Sequence, residues 1–306
     1  MPSAGYFDLQ VNGYAGVDFN ADDLTPEALN RACQRMQDDG VDGALATIIT
    51  ADLELMTARL NRLVKWREQD ALVRNVIAGL HIEGPFLNRE TGYVGAHPPQ
   101  CVTPADVDTM KRLVESTEGL VRIVTLAPEN DEGFRTTRWL ADQKIAISGG
   151  HSNASRETLM EAIDAGLTMF THLGNGCPVT LPRHDGIIQR VLSLADRLWV
   201  MFIADGAHVP FFALKNYLKV VGLERAIVVT DAIAAAGMGP GRFTIGGVDA
   251  IVGDDLVPRA AHSPEQFAGS GLTMPRAAEN LKQHLGLNDN QVQQLCSVNP
   301  RRAISA

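Results

Sequence analysis

Cysteine is scarce and scattered. Cys33, Cys101, Cys177 and Cys296 lie far apart and form no CxxC pair. This excludes a disulfide-stapled scaffold and a cysteine metal finger, and it fits reduced, mostly buried thiols. Positive charge is also short, with 27 Lys and Arg against 36 Asp and Glu for a net charge of −9. A nucleic-acid partner is disfavoured, because neutralising phosphates takes a basic face. Long apolar runs are missing: the longest stretch without Asp, Glu, Lys or Arg, 165–182, is broken by His172, Asn175, Pro178 and Pro182 and is unfit to cross a bilayer. At the start, Gly5, Asp8 and Gln10 interrupt any apolar leader, so the chain is expected in the cytoplasm. There is no short-period repeat and no low-complexity tract.

What remains is a globular composition, 45% hydrophobic and 21% charged over 306 residues, and a chain of this length buries roughly three quarters of its unfolded surface. Short runs of Val, Ile, Leu and Phe alternate with segments of helical period, which is the pattern of repeated βα units. Strands are expected at 6–12, 44–49, 76–83, 121–127, 145–149, 168–173, 199–204 and 226–230. Thr25-Pro26 and Thr103-Pro104 each set a capping hydroxyl before a proline at the first helical position. Eight strands with intervening helices predict an α/β fold, a closed (β/α)8 TIM barrel, as a single domain over 1–306 with its chemistry at the C-terminal strand ends. One excursion, 237–270, is glycine-rich and carries the alternating piece Arg242-Phe243-Thr244-Ile245, read as a small β-hairpin. Helical period returns at 273–285 and 289–297.

The expected strand ends carry Gln10 and Asn12, Glu83, His151, His172, Asp205 with His208, and Asp231. Two neutral imidazoles and one carboxylate make a catalytic zinc site that keeps a position open for water and lowers its pKa to around 7. The same set also holds non-haem Fe(II), so the ligands alone do not name the metal. His81 shares a strand face with Glu83 and is expected to pack inward rather than ligate. Asp231 follows a strongly apolar strand, a place where burial raises a carboxylate pKa toward that of a general base. Cys177 is read as packing.

Taken together, GYFDLQVNGYAGVDF at 5–19, LHIEGPFLN at 80–88, GAHPPQ at 95–100, GHSNA at 150–154, THLGNG at 171–176, ADGAHV at 204–209, VTDA at 229–232 and GSGLTM at 269–274 run in one order along most of the chain. In this the sequence resembles the N-acetylglucosamine-6-phosphate deacetylases of the amidohydrolase superfamily. The resemblance implies metal ligation by Glu83, His151 and His172, acid/base catalysis by Asp231, and sugar and acetyl contacts by His97 and His208, with His97 steadying the oxyanion. Some relatives hold a second metal on His-x-His in the first strand. Gln10 and Asn12 stand in those places here, which implies a single divalent ion, zinc, with iron as the alternative. Phosphate contacts are implied for Arg183, donated by a neighbouring subunit, and for backbone amides near Asn175 and Gly176. The expected partner is thus a small amino-sugar phosphate, and the expected assembly a homodimer. Two departures stand out. The family's flanking β-sandwich is expected to be largely missing, with 237–270 as its remnant, and Gly176 replaces the usual alanine, which loosens the phosphate loop. Deacylation of another N-acetyl sugar or an N-acyl amino acid, and a non-catalytic sugar-phosphate binder, stay open as alternatives.

Overall fold

The computed structural model describes residues 5–305. The expected domain range of 1–306 therefore includes five terminal residues that lie outside the described part. Eight parallel strands form one sheet in chain order: β1 (Tyr6–Val11), β2 (Val41–Ile49), β3 (Ile77–Glu83), β4 (Val121–Leu126), β5 (Ala146–Gly149), β6 (Leu167–Phe170), β7 (Trp199–Ile203) and β8 (Ala226–Val229). The sheet closes into the expected barrel where β1 meets β8, through a parallel bridge between Val11 and Ala232 and the bond from Asn12 N–H to the Ala232 carbonyl at 2.7 Å. Inside that seam the buried Asp8 carboxylate accepts from the Thr230 hydroxyl at 2.5 Å and from the Thr230 and Gln10 amides at 3.2 Å each. Burial drives its pKa up to about 7, although the Thr230 hydroxyl and the amides act the other way.

Helix signals resolve in two ways. Thr25 caps Pro26–Asp38 as expected, its hydroxyl accepting from the Ala28 amide at 3.2 Å. The second helix starts later than Thr103-Pro104 predicts: it spans Val107–Glu115, and Asp106 caps it by accepting from the Thr109 amide at 2.7 Å. Thr103 and Ala105 instead give their amides to the Pro85 and Asn130 carbonyls, which keeps 103–105 extended across the barrel mouth. The segment expected as one helix at 289–297 divides into Asp289–Gln293 and a π-helical turn at Gln294–Val298.

The excursion is larger than the expected hairpin. It is a four-stranded antiparallel sheet of β9 (Gly241–Ile245), β10 (Val248–Val252), β11 (Pro258–Ala260) and β12 (Ser263–Phe267). The alternation in Val248-Asp249-Ala250-Ile251-Val252 was the signal for the extra pair, since Ala250 and Val252 point inward while Asp249 and Ile251 are exposed. With Ile49, Ile233 and Ala235 from the barrel, this sheet builds its own small apolar cluster, so it is fixed to the mouth. Among the described residues no helix is long and apolar enough to cross a membrane.

Candidate active site at the barrel mouth

A cavity of about 640 Å³ opens at the C-terminal ends of the strands, within the ~300–1,000 Å³ typical of small-molecule sites. It is lined by Asn12, Glu83, His97, His151, His172, Asn175, Gly176, His208 and Asp231, so nearly all of the expected site residues meet there. Gln10 lies just beneath, fully buried. Arg183 is exposed and does not line the cavity of its own chain, whose lining contains no lysine or arginine.

Local backbone geometry delivers three of these side chains. His151, His172 and Asp231 each stand two residues past the end of their strands, with φ of 49°, 30° and 51°. Non-glycine residues in this left-handed region cost on the order of 1–3 kcal/mol each and cluster at functional sites. Glu83 is instead the last residue of β3 and enters from regular strand.

Glu83 is the hub. Its Oε1 accepts from Gln10 Nε2 at 3.1 Å and lies 3.1 Å from His172 Nε2 and 3.4 Å from His151 Nε2, while Oε2 lies 3.9 Å from His97 Nε2. Burial pushes the Glu83 carboxyl upward, but the imidazoles around it, His151 and His172 first, more than offset it and hold the group well below the usual carboxylate range. The His97 and His151 rings meet edge to face with centroids 4.5 Å apart, and His151 and His172 do so at 4.9 Å.

The outer ring nitrogens distinguish these histidines. His151 Nδ1 lies 2.7 Å from the Tyr93 carbonyl, which only accepts, so Nδ1 carries a hydrogen and, in a neutral ring, the Nε2 lone pair is aimed at Glu83. His97 Nδ1 lies 3.0 Å from the Thr50 hydroxyl, whose one hydrogen goes to the Glu83 carbonyl at 3.2 Å, so Thr50 accepts from Nδ1 and the neutral ring keeps its lone pair on Nε2. Burial, with His151 beside it, lowers the His97 pKa to about 3 and keeps the ring neutral. His172 Nδ1 is buried with no hydrogen-bond partner among the described residues. Burial lowers and Glu83 raises the His172 pKa, with a net rise. Both nitrogens of His81 are engaged, by the Leu9 carbonyl at 3.1 Å and Thr125 at 2.8 Å, so His81 packs inward.

These donors fit a metal ion. With a hydrogen on Nδ1, a neutral His151 ring faces a carboxylate oxygen with its Nε2 lone pair and no hydrogen between them, an arrangement that a cation bridges, and imidazole nitrogen beside carboxylate oxygen suits a divalent metal. Ligand atoms of Glu83, His97 and His151 lie within 4.8 Å of one another, and His172 adjoins them through the same Glu83 oxygen. The structure thus adds His97 to the expected trio of Glu83, His151 and His172 as a fourth group at the centre.

Asp231 is joined to Glu83 through Gln10, whose Nε2 donates to both carboxylates. Its Oδ1 accepts from Asn12 Nδ2 at 2.8 Å and Gln10 Nε2 at 3.1 Å, which leaves Oδ2 free of these amides. Burial first, and then the Glu83 charge, raise its pKa to about 6. The side-chain amides of Gln10 and Asn12 therefore orient this carboxylate. His208 Nδ1 bonds the Asp205 carboxylate at 2.6 Å, and Phe267 packs on the His208 ring with centroids 4.6 Å apart.

Several lining residues escaped the sequence reading. Ile245, Ser263, Glu265, Gln266 and Phe267 come from the four-stranded excursion, and Gln266 Nε2 donates to the Gly95 carbonyl at 2.6 Å, tying that sheet to the loop of His97. The alternation of β12 hints at a strand, but nothing in its sequence says which cavity it faces. Cys177 lines the cavity too, with burial raising its thiol pKa to about 11, so it stays protonated and does not serve as a nucleophile.

No protein-family model matches the chain. Among curated proteins it is 30% identical over 302 residues to the N-acetylglucosamine-6-phosphate deacetylase of Bacillus subtilis, covering 98% of this chain and 74% of that protein. It is also 30% identical over 299 residues to the N-acetylgalactosamine-6-phosphate deacetylase of Escherichia coli O157:H7, covering 98% and 77%. Among solved structures, an aspartate-to-alanine mutant of the Mycobacterium smegmatis N-acetyl-D-glucosamine-6-phosphate deacetylase, in complex with N-acetyl-D-glucosamine-6-phosphate, superposes with a TM-score of 0.89 at 30% identity, covering 99% of this chain and 77% of that one. The chain belongs to the N-acetylglucosamine-6-phosphate deacetylase family.

Proposed function

We propose that this chain hydrolyses the acetamide of N-acetylglucosamine 6-phosphate to give acetate and glucosamine 6-phosphate, with Glu83, His151 and His172 holding one divalent ion, zinc in preference to iron. The observation that carries this reading is the juxtaposition of Asp231, whose Oδ2 is free of the Gln10 and Asn12 amides, with an imidazole–carboxylate cluster in a single cavity. Bound there, the ion supplies a positive charge that polarises the acetamide carbonyl and acidifies water. Asp231 takes the proton of the attacking water on Oδ2 and returns it to the departing amine, while Gln10 and Asn12 keep Oδ1 and the plane of the carboxylate fixed. His97 touches the acetyl group; when the Thr50 hydroxyl turns from the Glu83 carbonyl to donate to Nδ1, His97 carries its hydrogen on Nε2 and steadies the developing oxyanion. His208, oriented by Asp205, binds a sugar hydroxyl through Nε2.

A phosphate finds no cation in the lining of this cavity. The exposed Arg183, on the loop after the THLGNG segment, meets that need from a second copy, and the backbone amides at Asn175 and Gly176 complete the phosphate site. The working assembly is thus a homodimer. A second reading, N-acetylgalactosamine 6-phosphate as the preferred substrate, is supported by the equal identity to relatives of both names. Acetate release from the two epimers, assayed side by side with and without chelator, tests both readings. Chelator-insensitive turnover, or none on either phosphate, sinks the proposal.

A further inference from the structure

Outside the cavity, Glu129 holds the backbone on which His151 stands. It lies in the short turn Pro128–Asn130 beyond β4 and does not line the cavity. Its Oε2 accepts from the Ser152 hydroxyl at 2.6 Å, and its Oε1 from the Asn153 amide at 2.6 Å and Asn88 Nδ2 at 3.0 Å. Asn88 in turn gives its own amide to the His151 carbonyl at 2.9 Å. One carboxylate therefore grips the two residues after His151 directly and the carbonyl of His151 through Asn88. The cap of the helix that follows, Arg156–Ala165, is Ser155, so Glu129 is not needed to start that helix.

The backbone needs this grip. His151 sits at φ 49° in the left-handed region, and outside the cluster its ring is held at Nδ1 by the Tyr93 carbonyl. Hydrogen bonds that over-determine the turn keep a strained residue where relaxation would otherwise carry it toward ordinary φ, and relaxation here would swing Nε2 away from Glu83. We infer that Glu129 is a positioning residue for His151, setting the aim of Nε2 toward the metal and so the affinity of the site for its ion. The inference rests on the reading that His151 is a ligand.

The test is zinc affinity, measured by competition with a chromophoric chelator on metal-stripped full-length protein. Glu129→Ala is expected to weaken Zn2+ binding by about 10–100-fold, the range typical for groups that orient metal ligands. Glu129→Gln, which keeps one acceptor, is expected to weaken it less. The melting temperature of the metal-free protein should stay within a few degrees of wild type. In a His151→Ala background Glu129→Ala should change the affinity less than about twofold, because a residue acting through His151 has nothing left to position. An unchanged Kd in Glu129→Ala, or an equal loss with and without His151, overturns the inference while leaving the metal site standing. A wild-type protein that binds no zinc overturns the metal reading itself. Should Glu129→Ala not fold, Ser152→Ala removes one of the three donors, and a Kd unchanged from wild type in that variant also overturns the inference.

Discussion

Glu83 and Asp231 line one cavity and share the Gln10 side-chain amide, and both are buried, yet their carboxyls shift in opposite directions. Glu83 is gathered by imidazoles and held well below the usual carboxylate range; Asp231 is gathered by two neutral amides, feels the charge of Glu83, and rises to about 6. Burial alone pushes both upward, so the neighbours decide the outcome. Nitrogen bases make Glu83 a permanent anion fit to hold a cation. Amide donors orient Asp231 without stabilising its charge enough to offset burial, which leaves it able to exchange a proton near neutrality.

The contrast breaks most visibly at Glu83. Glu83→Gln removes the anion while keeping the shape, and loss of bound metal together with at least a thousand-fold fall in turnover is expected, on the order of the several kcal/mol a catalytic ion supplies; elemental analysis and acetate release measure both. Asp231→Asn keeps the amide-facing oxygen and removes the proton carrier, so kcat should fall about 10²–10⁴-fold with metal content intact. Equal metal loss in the two variants would erase the distinction between the carboxylates. Asn12→Ala takes away a hydrogen bond that holds the Asp231 pKa down. Activity that rises with pH through about 6 as Asp231 ionises should then rise later, by up to about one pH unit, with a smaller loss of kcat at high pH.

Smallest on turnover, and read in stability instead, is Asp8. Its folded pKa of about 7 lies above the ordinary aspartate value of 3.8. Its protonated form therefore favours the fold: the contribution is complete below about pH 4 and lost as pH rises through about 7. Asp8→Asn should flatten the dependence of melting temperature on pH in that window by a few degrees, as thermal scans at pH 4 to 8 would show.

The barrel was legible because strand and helix periods alternate cleanly, and the three chemistry-bearing residues past β5, β6 and β8 were legible because glycines and apolar runs mark those strand ends. The second helix was misplaced by a Thr-Pro pair whose amide neighbours are drawn to the barrel mouth, a tertiary preference no local pattern carries. The excursion was under-read for a related reason. Its second hairpin begins at Pro258 and is partly polar, and its placement as a wall of the cavity depends on Ile49 and Ile233, which are distant in sequence. The grip of Tyr93 on His151 was out of reach altogether, since a backbone carbonyl leaves no residue-type signature. Arg183 remains the residue on which sequence resemblance says most and a single chain says least.

Three left-handed backbones at 151, 172 and 231 give this fold a reserve of stability that its chemistry forbids it to use. Glycine at any of them would relax the chain by about 1–2 kcal/mol, so a descendant freed from the reaction would drift toward a sturdier and silent barrel. Thermal hardening and catalytic decay would then share the same substitutions, and a collection of variants chosen only for heat resistance would be expected to lose the active ones first.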